Sequence, residues 1–497
     1  MGNLLSEPIT DKETEEGVTM GGLSYAVSSM QGWRTHMEDA HICESHLVVR
    51  VPFWPNATIN NDGNASSPAA AAHDEEGGDC KDKGENDENL METMDKNHLP
   101  IPLVSAGPAE SQNEYLVLKD HSIFAVFDGH GGDFAAKYAA KHFVRVLTSL
   151  TTFQTYARLY HDCKKQRQGE EDTPKSEQEV TAFKMKLYSL LEQSLRNAFY
   201  EIDNELLATC KQPEINSNGN NSRKRTIAHV GNDNSQQPNT TVLPIHGQTI
   251  QQFARDIVHR GEVDKDDSSF GEDPHYGTGC GTSGTTAVVV LITPTQVLCA
   301  NAGDSRAIFS KANGHIIPLS YDHKPSDEYE LSRIVNAGGF VSNDRINGDL
   351  AVARGLGDFR FKLNEHLPPD LQKVTALPDI IVLNLSTEED LFIFIGCDGI
   401  WDVCSNAELV ENILTIFNEG ETSLGLVCEE LMDVCLNKGS KDNMTALVVA
   451  LPGLKKYFEE QLQQNNGSIG GGVAARRLER ARLLEEARKV RLNSRYR

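Results

Sequence analysis

At six sites of this 497-residue chain, acidic residues stand where an apolar run gives way to glycine or another strand-breaking turn. They are Glu38-Asp39 in "GWRTHMEDAH", Asp128 in "FDGHGG", Asp304 in "NAGDSRA", Asp358 in "ARGLGDFRF", Asp398 in "GCDGIWD" and Asp442 in "GSKDNMT". A single Asp-Gly pair is an ordinary turn, because Asp hydrogen-bonds its own backbone and Gly accepts a positive φ. Six on one pattern ask for more. Strands that end together bring their carboxylates to one sheet edge, and clustered carboxylates repel unless cations neutralise them. Oxygen ligands suit Mg²⁺ or Mn²⁺ rather than zinc. Two such ions roughly 3.5–4 Å apart form the usual clamp for phosphoryl hydrolysis.

The strands themselves are legible. Runs at 121–127, 286–292, 296–302, 306–309, 391–396 and 445–451 are rich in β-branched or aromatic residues and bounded by turn residues. Apolar residues at three- and four-residue spacing predict helices over 133–150, 180–209, 326–337, 406–417 and 423–437. The Pro-Thr turn between 286–292 and 296–302 favours antiparallel pairing. Strands and helices fall in separate clusters, which predicts an α+β fold.

Two polar stretches interrupt this pattern. Residues 52–113 are rich in Ala, Asn, Gly and acidic residues, and residues 211–276 in Asn, Gln, Ser and Asp. Both bury too little apolar surface to offset chain entropy and are expected to be disordered insertions. The expected organisation is a disordered leader (1–20), one domain (21–452) and a tail (453–497). The tail carries a Gly-rich hinge, "GSIGGGV", and then a basic helical pattern over 474–497.

A formal net charge of -25 argues against a nucleic-acid partner, since phosphate backbones attract basic surfaces. Ten cysteines without a C-x-x-C pair or zinc-like spacing read as reduced thiols of the cytosol or nucleus. No apolar stretch approaches the roughly 18 residues that cross a bilayer, and the N-terminus has no signal-peptide core. The expectation is a soluble monomer of the cytoplasm, the nucleus or both.

In order along the chain, "SSMQGWRTHMEDAH", "FAVFDGHGG", "SGTTAVVVLI", "ANAGDSRA", "YDHKPSDEYELSRIVNAGGFV", "INGDLAVARGLGDFRFK", "IGCDGIWDV" and "SKDNMTALVV" resemble the motifs of the metal-dependent protein serine/threonine phosphatases, the type 2C family. The resemblance covers about 21–50, 120–150 and 280–452. It implies an αββα sandwich of two antiparallel sheets flanked by helices, with two Mg²⁺ or Mn²⁺ ions at one end. Phosphoserine and phosphothreonine proteins would be the substrates. It further implies that Asp128 bridges both ions and that the Gly129 carbonyl and Glu38 serve one of them. Asp358, Asp398 and Asp442 would hold the other. A bridging water would attack phosphorus in line, with Arg34 gripping the phosphate oxygens and His130 protonating the leaving oxygen. Asp39 would support the ligands. Asp304 belongs either to a weaker third metal site or to the "GDSR" turn, and Arg360 stands where some members carry an acidic residue.

Other readings compete. "GTGCGTSGTT" lacks the Lys-Ser/Thr ending of a P-loop, and no cysteine is followed by arginine six positions later. A two-metal nuclease would need a less acidic surface. A pseudophosphatase acting as a phosphoprotein-binding module would be expected to have lost ligands. "SRKRT" (222–226) is a candidate nuclear signal, and "MGNLLS" matches M-G-x-x-x-[ST], so myristoylation of Gly2 is expected. One acyl chain gives only marginal membrane contact.

Overall fold

The computed structural model describes residues 4–52, 113–169, 177–211, 282–386 and 388–464. The chain divides into two compact units, residues 1–49 with 116–497 and residues 50–115. The architecture below is that of the first unit. The basic 474–497 pattern, "SRKRT", Gly2 and nearly all of both polar insertions lie outside the described residues.

Two antiparallel sheets form the centre. The first contains β1 (Leu4–Val18), β2 (Ser24–Arg34), β8 (Arg306–Lys311), β9 (Ile316–Pro318), β12 (Asp390–Gly396) and β13 (Met444–Ala450), in the spatial order β1-β2-β13-β12-β8-β9. The second contains β3 (Ala40–Glu44), β4 (Ser122–Phe127), β6 (Ala287–Ile292), β7 (Gln296–Ala302) and β11 (Asp379–Asn384), in the order β11-β7-β6-β4-β3. A short three-stranded sheet, β10-β5b-β5a, joins Leu356–Gly357, Gly284–Thr285 and Gly129–His130.

Alternation along the strands sorts the side chains into layers. Val27, Ile393, Ile395 and Leu447 of the first sheet meet Phe124, Val126, Val288 and Val290 of the second in one buried cluster. The opposite face of the first sheet, with Ala26, Met30, Phe392 and Phe394, packs on the helices Asn406–Asn418 and Leu424–Lys438. The first of these begins with a full capping box, Ser405 with Glu408. On the far side, Phe127 stacks near Phe143 of helix Phe134–Ser149, and Phe143 meets Phe199 of helix Glu177–Cys210 at 5.5 Å. Helices, sheet, sheet, helices: the fold is the expected α+β, αββα sandwich.

Four expectations need correction. Most of the leader is ordered: Leu4–Val18 pairs antiparallel with β2, from Lys12↔Met30 to Val18↔Ser24 and, past two register shifts, through Ile9↔Gly32 to Leu4↔Arg34. Its charged residues mislead because an edge strand has one solvated face. Thr14 and Glu16 instead reach the helix at 424–438, where Glu16 accepts from the Ser423 hydroxyl. A further helix, Thr151–Gly169, follows Leu150 with no turn residue to announce it. The tail begins as helix, Pro452–Gln464, with proline in the first turn where its missing N–H is not needed. Lastly, Cys210 is disulfide-bonded, whereas Cys43, Cys163, Cys299, Cys397, Cys404, Cys428 and Cys435 are free.

Candidate metal centre

Antiparallel register decides which strand ends meet. β2 pairs β13 with Met30 opposite Met444, so the end of β2 at Arg34 lies beside the segment that enters β13 at Asp442. β3 pairs β4 with Ala40 opposite Phe127, which places Asp39 beside Asp128. β12 runs to Gly396, opposite Ala446, and delivers Asp398 to the same edge. Asp358 arrives from the short sheet, because Gly357 pairs Gly284 and Gly284 pairs His130. Five separate segments thus converge at one end of the sandwich.

Asp128 and Asp398 are within one hydrogen bond of each other: the Asp398 amide donates to Asp128 Oδ2 at 3.4 Å. Burial, then the neighbouring carboxylates, raises both pKa values well above the ordinary range. Asp39 is pushed up to about 7, first by burial, although Thr445 donates to its Oδ2 at 2.7 Å. Its other oxygen is buried without a hydrogen-bond partner, as is Asp358 Oδ1. Buried carboxylates that hold one another's protons on, with orphaned oxygens among them, are what a divalent oxygen-liganded cation would relieve. The residues fit such a group.

Asp39, Asp128 and Cys397 can each place one donor atom within 4.8 Å of the others. Burial, then Asp39, drives the Cys397 thiol far above its ordinary pKa. It stays protonated and donates to the Asn443 carbonyl at 3.5 Å. The oxygen ligands remain.

Gly129 stands where no side chain fits, since a Cβ would lie 2.3 Å from the Glu38 carbonyl oxygen. The Glu38 carboxylate accepts from the Gly132 amide at 3.1 Å. His130 Nε2 is 2.7 Å from Asp358 Oδ2. Burial alone would lower the His130 pKa, but Asp358 more than offsets it and the net shift is upward. Asp358 adopts the left-handed conformation, φ 52°, uncommon for a residue with a side chain and a typical mark of a functional position. Gly284 makes room for the pair: a Cβ there would lie 2.1 Å from Asp358 Oδ2 and 2.4 Å from His130 Nε2.

Three placements sharpen the expectations. Arg34 pairs with Asp442, and its side chain keeps 38% exposure at the rim. Asp304 pairs with Lys324 and lies close enough to Asp128 and Asp398 to help hold their protons on. Arg360 points to Asp349 at 2.7 Å on the surface. Asn443 was not singled out from the sequence. Its Oδ1 accepts from the Glu38 amide at 2.9 Å while Nδ2 donates to the carbonyls of Gln31 and His36. It ties the Arg34–Glu38 loop to Asp442, and its only sequence signal is adjacency to that Asp.

The family description "Protein phosphatase 2C" matches residues 183–444, just over half of the 497. The chain belongs to the protein phosphatase 2C family. The matched span includes Asp304, Asp358, Asp398 and Asp442. Curated relatives match over nearly the whole chain. "Probable protein phosphatase 2C 11" of Oryza sativa subsp. japonica is 31% identical over 97% of this chain and 98% of its own length. "Protein phosphatase 2C homolog 2" of Schizosaccharomyces pombe is 28% identical over 95% and 85%. "Probable protein phosphatase 2C 21" of Arabidopsis thaliana is 30% identical over 90% and 92%.

Proposed function

We propose that this phosphatase hydrolyses phosphoserine and phosphothreonine in proteins by direct attack of water, without a phosphoenzyme, and requires two Mg²⁺ or Mn²⁺ ions. The observation that carries the reading is the meeting of Asp128, Asp398 and Asp39 in one buried, mutually repelling cluster at the sandwich end. Asp128, the Gly129 carbonyl and Glu38 would hold one ion, and Asp358, Asp398 and Asp442 the other, with Asp39 beside Asp128. When bound, the ions neutralise the carboxylates and supply a nucleophile from water at neutral pH.

The chain's own groups do the rest. Arg34 leaves Asp442 and takes two phosphate oxygens in its planar fork, which orients phosphorus toward the cluster. His130 turns Nε2 to Asp358, so Nδ1 is the nitrogen left to protonate the departing serine or threonine oxygen. Asp358 fixes the ring with Oδ2 and keeps Oδ1 for a cation.

"MGNLLSEPIT", "KLNEHLPPD" and "VTALPDI", with the long polar insertion before "SGTTA", support placing the chain with the gamma isoform of the family. Gly2 acylation is part of the same proposal. Glu7, Asp11, Glu13, Glu15 and Glu16 would be repelled by an anionic leaflet, so the acylated protein stays mainly in cytoplasm or nucleus, as a monomer. Among the described residues no helix is long and apolar enough to cross a membrane. Intact-mass measurement of protein from its native cell tests the acylation, and an unmodified Gly2 amine would end it. The phosphatase reading is tested by phosphopeptide hydrolysis with and without chelator. A protein that binds Mn²⁺ and phosphopeptide yet never hydrolyses would be a pseudophosphatase.

A further inference from the structure

We propose that Asp203, on the outer helix Glu177–Cys210, is a positioning residue that sets the Asp358 turn. Its Oδ1 accepts from the Gly357 amide at 2.8 Å, and both its oxygens accept from Lys362 Nζ at 2.8 Å. The same ammonium donates to the Gly355 carbonyl at 2.9 Å. Asp203 and Lys362 therefore grip both sides of Gly355-Leu356-Gly357, directly before Asp358. Lys362 Nζ also sits 5.6 Å from the ring centre of Phe359, directly after Asp358.

That turn needs holding. Gly357 accepts its φ of 79° freely, but Asp358, at φ 52°, carries a side chain and does not rest there unaided. A small rotation at Gly357 would carry Asp358 Oδ2 away from His130 and Oδ1 out of the cluster.

The bland account is that Asp203 merely docks its helix. The helix already buries Leu195, Ala198, Phe199, Ile202 and Leu206 against the core, which suffices for docking. A nearly buried ion pair, 15% exposed at Asp203 and 9% at Lys362, is often no more stabilising than apolar residues of similar size. Its distinctive contribution is direction: it fixes one amide and one carbonyl flanking a proposed ligand. Groups that orient metal ligands in this way commonly change metal affinity or activity about 10–100-fold when removed.

The test compares wild type, Asp203→Ala and Asp203→Asn as full-length proteins. Asn keeps an oxygen for the Gly357 amide and loses the pair with Lys362. For Asp203→Ala we expect one step of the Mn²⁺ calorimetric isotherm to weaken by about tenfold and kcat on a phosphoserine peptide to fall about 10–100-fold, with KM within about threefold. Asp203→Asn should move the same two quantities in the same direction by less. A folded Ala variant with the wild-type isotherm and kcat would overturn the proposal, as would one in which only melting temperature and KM move. Should the Ala variant fail to fold, a folded Asn variant with the wild-type isotherm and kcat overturns it equally. The proposal rests on the phosphatase reading only in its kinetic arm. A wild type that binds Mn²⁺ without hydrolysing the peptide sinks that reading, and the Mn²⁺ isotherms still decide Asp203.

Discussion

His130 Nε2 and Asp358 Oδ2 stand 2.7 Å apart over Gly284, with the other Asp358 oxygen buried and unpaired. One carboxylate thus faces two tasks, a ring on one side and a cation position on the other. Gly284→Ala inserts a methyl group at 2.1 Å from Oδ2, so the contact must break. The variant should fold, because the clash falls on two side chains, Asp358 and His130, and not on backbone. Its kcat should drop on the order of 100-fold or more, measured on phosphopeptide in saturating Mn²⁺.

Removing His130 should have a signature of its own. His130→Ala should slow a phosphoserine peptide by about 10²–10⁴-fold, the usual contribution of a general acid, and an aryl phosphate far less. The phenolate needs no proton to depart. Equal losses with the two leaving groups would remove His130 from that role.

Arg34→Ala separates phosphate binding from metal binding. Its guanidinium is partly exposed and reaches only Asp442 of the cluster. Steady-state kinetics should show a phosphopeptide KM and an inorganic phosphate inhibition constant raised on the order of tenfold. Mn²⁺ affinity should change little.

The charge cluster predicts an inverted stability pattern. Asp128 and Asp398 have pKa values raised by burial and then by neighbouring carboxylates, and Asp39 lies at about 7. A carboxyl whose folded pKa exceeds its unfolded value, about 3.9, contributes stability below that value and loses it as pH climbs toward the folded pKa. In chelator, the contribution of these groups should therefore decline from pH 4 to pH 7 and beyond. Asp128→Asn should melt roughly 3–6 °C above wild type at pH 8 in chelator, a gap that closes toward pH 4. With Mn²⁺ the order should reverse, since only wild type gains a full pair of ions.

The strand at the N-terminus gives a fifth handle. Deleting residues 1–18 strips β1 from the edge of β2 and removes the Glu16 contact to Ser423. Melting temperature should fall by several degrees in thermal denaturation. Unchanged melting would return this segment to a mere leader.

The sequence revealed the central strands because full burial leaves continuous apolar runs such as "TAVVVLI" and "LFIFIG". β1 was hidden because most of it faces water and none of it is fully buried, so "DKETEEG" reads as disorder until its partner strand is known. The carboxylates at strand ends were legible one by one, and the resemblance assembled them. What no local pattern carries is pairing across long separations. Asp203 with Gly357, and Asn443 with Glu38, are joined only once the chain has folded.

The most direct measurement is hydrolysis of a phosphothreonine peptide by purified full-length protein, followed by phosphate release. Activity should vanish in excess chelator, return with Mn²⁺ or Mg²⁺, and stay absent in Asp128→Asn and Asp398→Asn under the same restoration. Full wild-type turnover in excess chelator, or full turnover by either variant, would contradict a reaction run by two metal ions at this cluster.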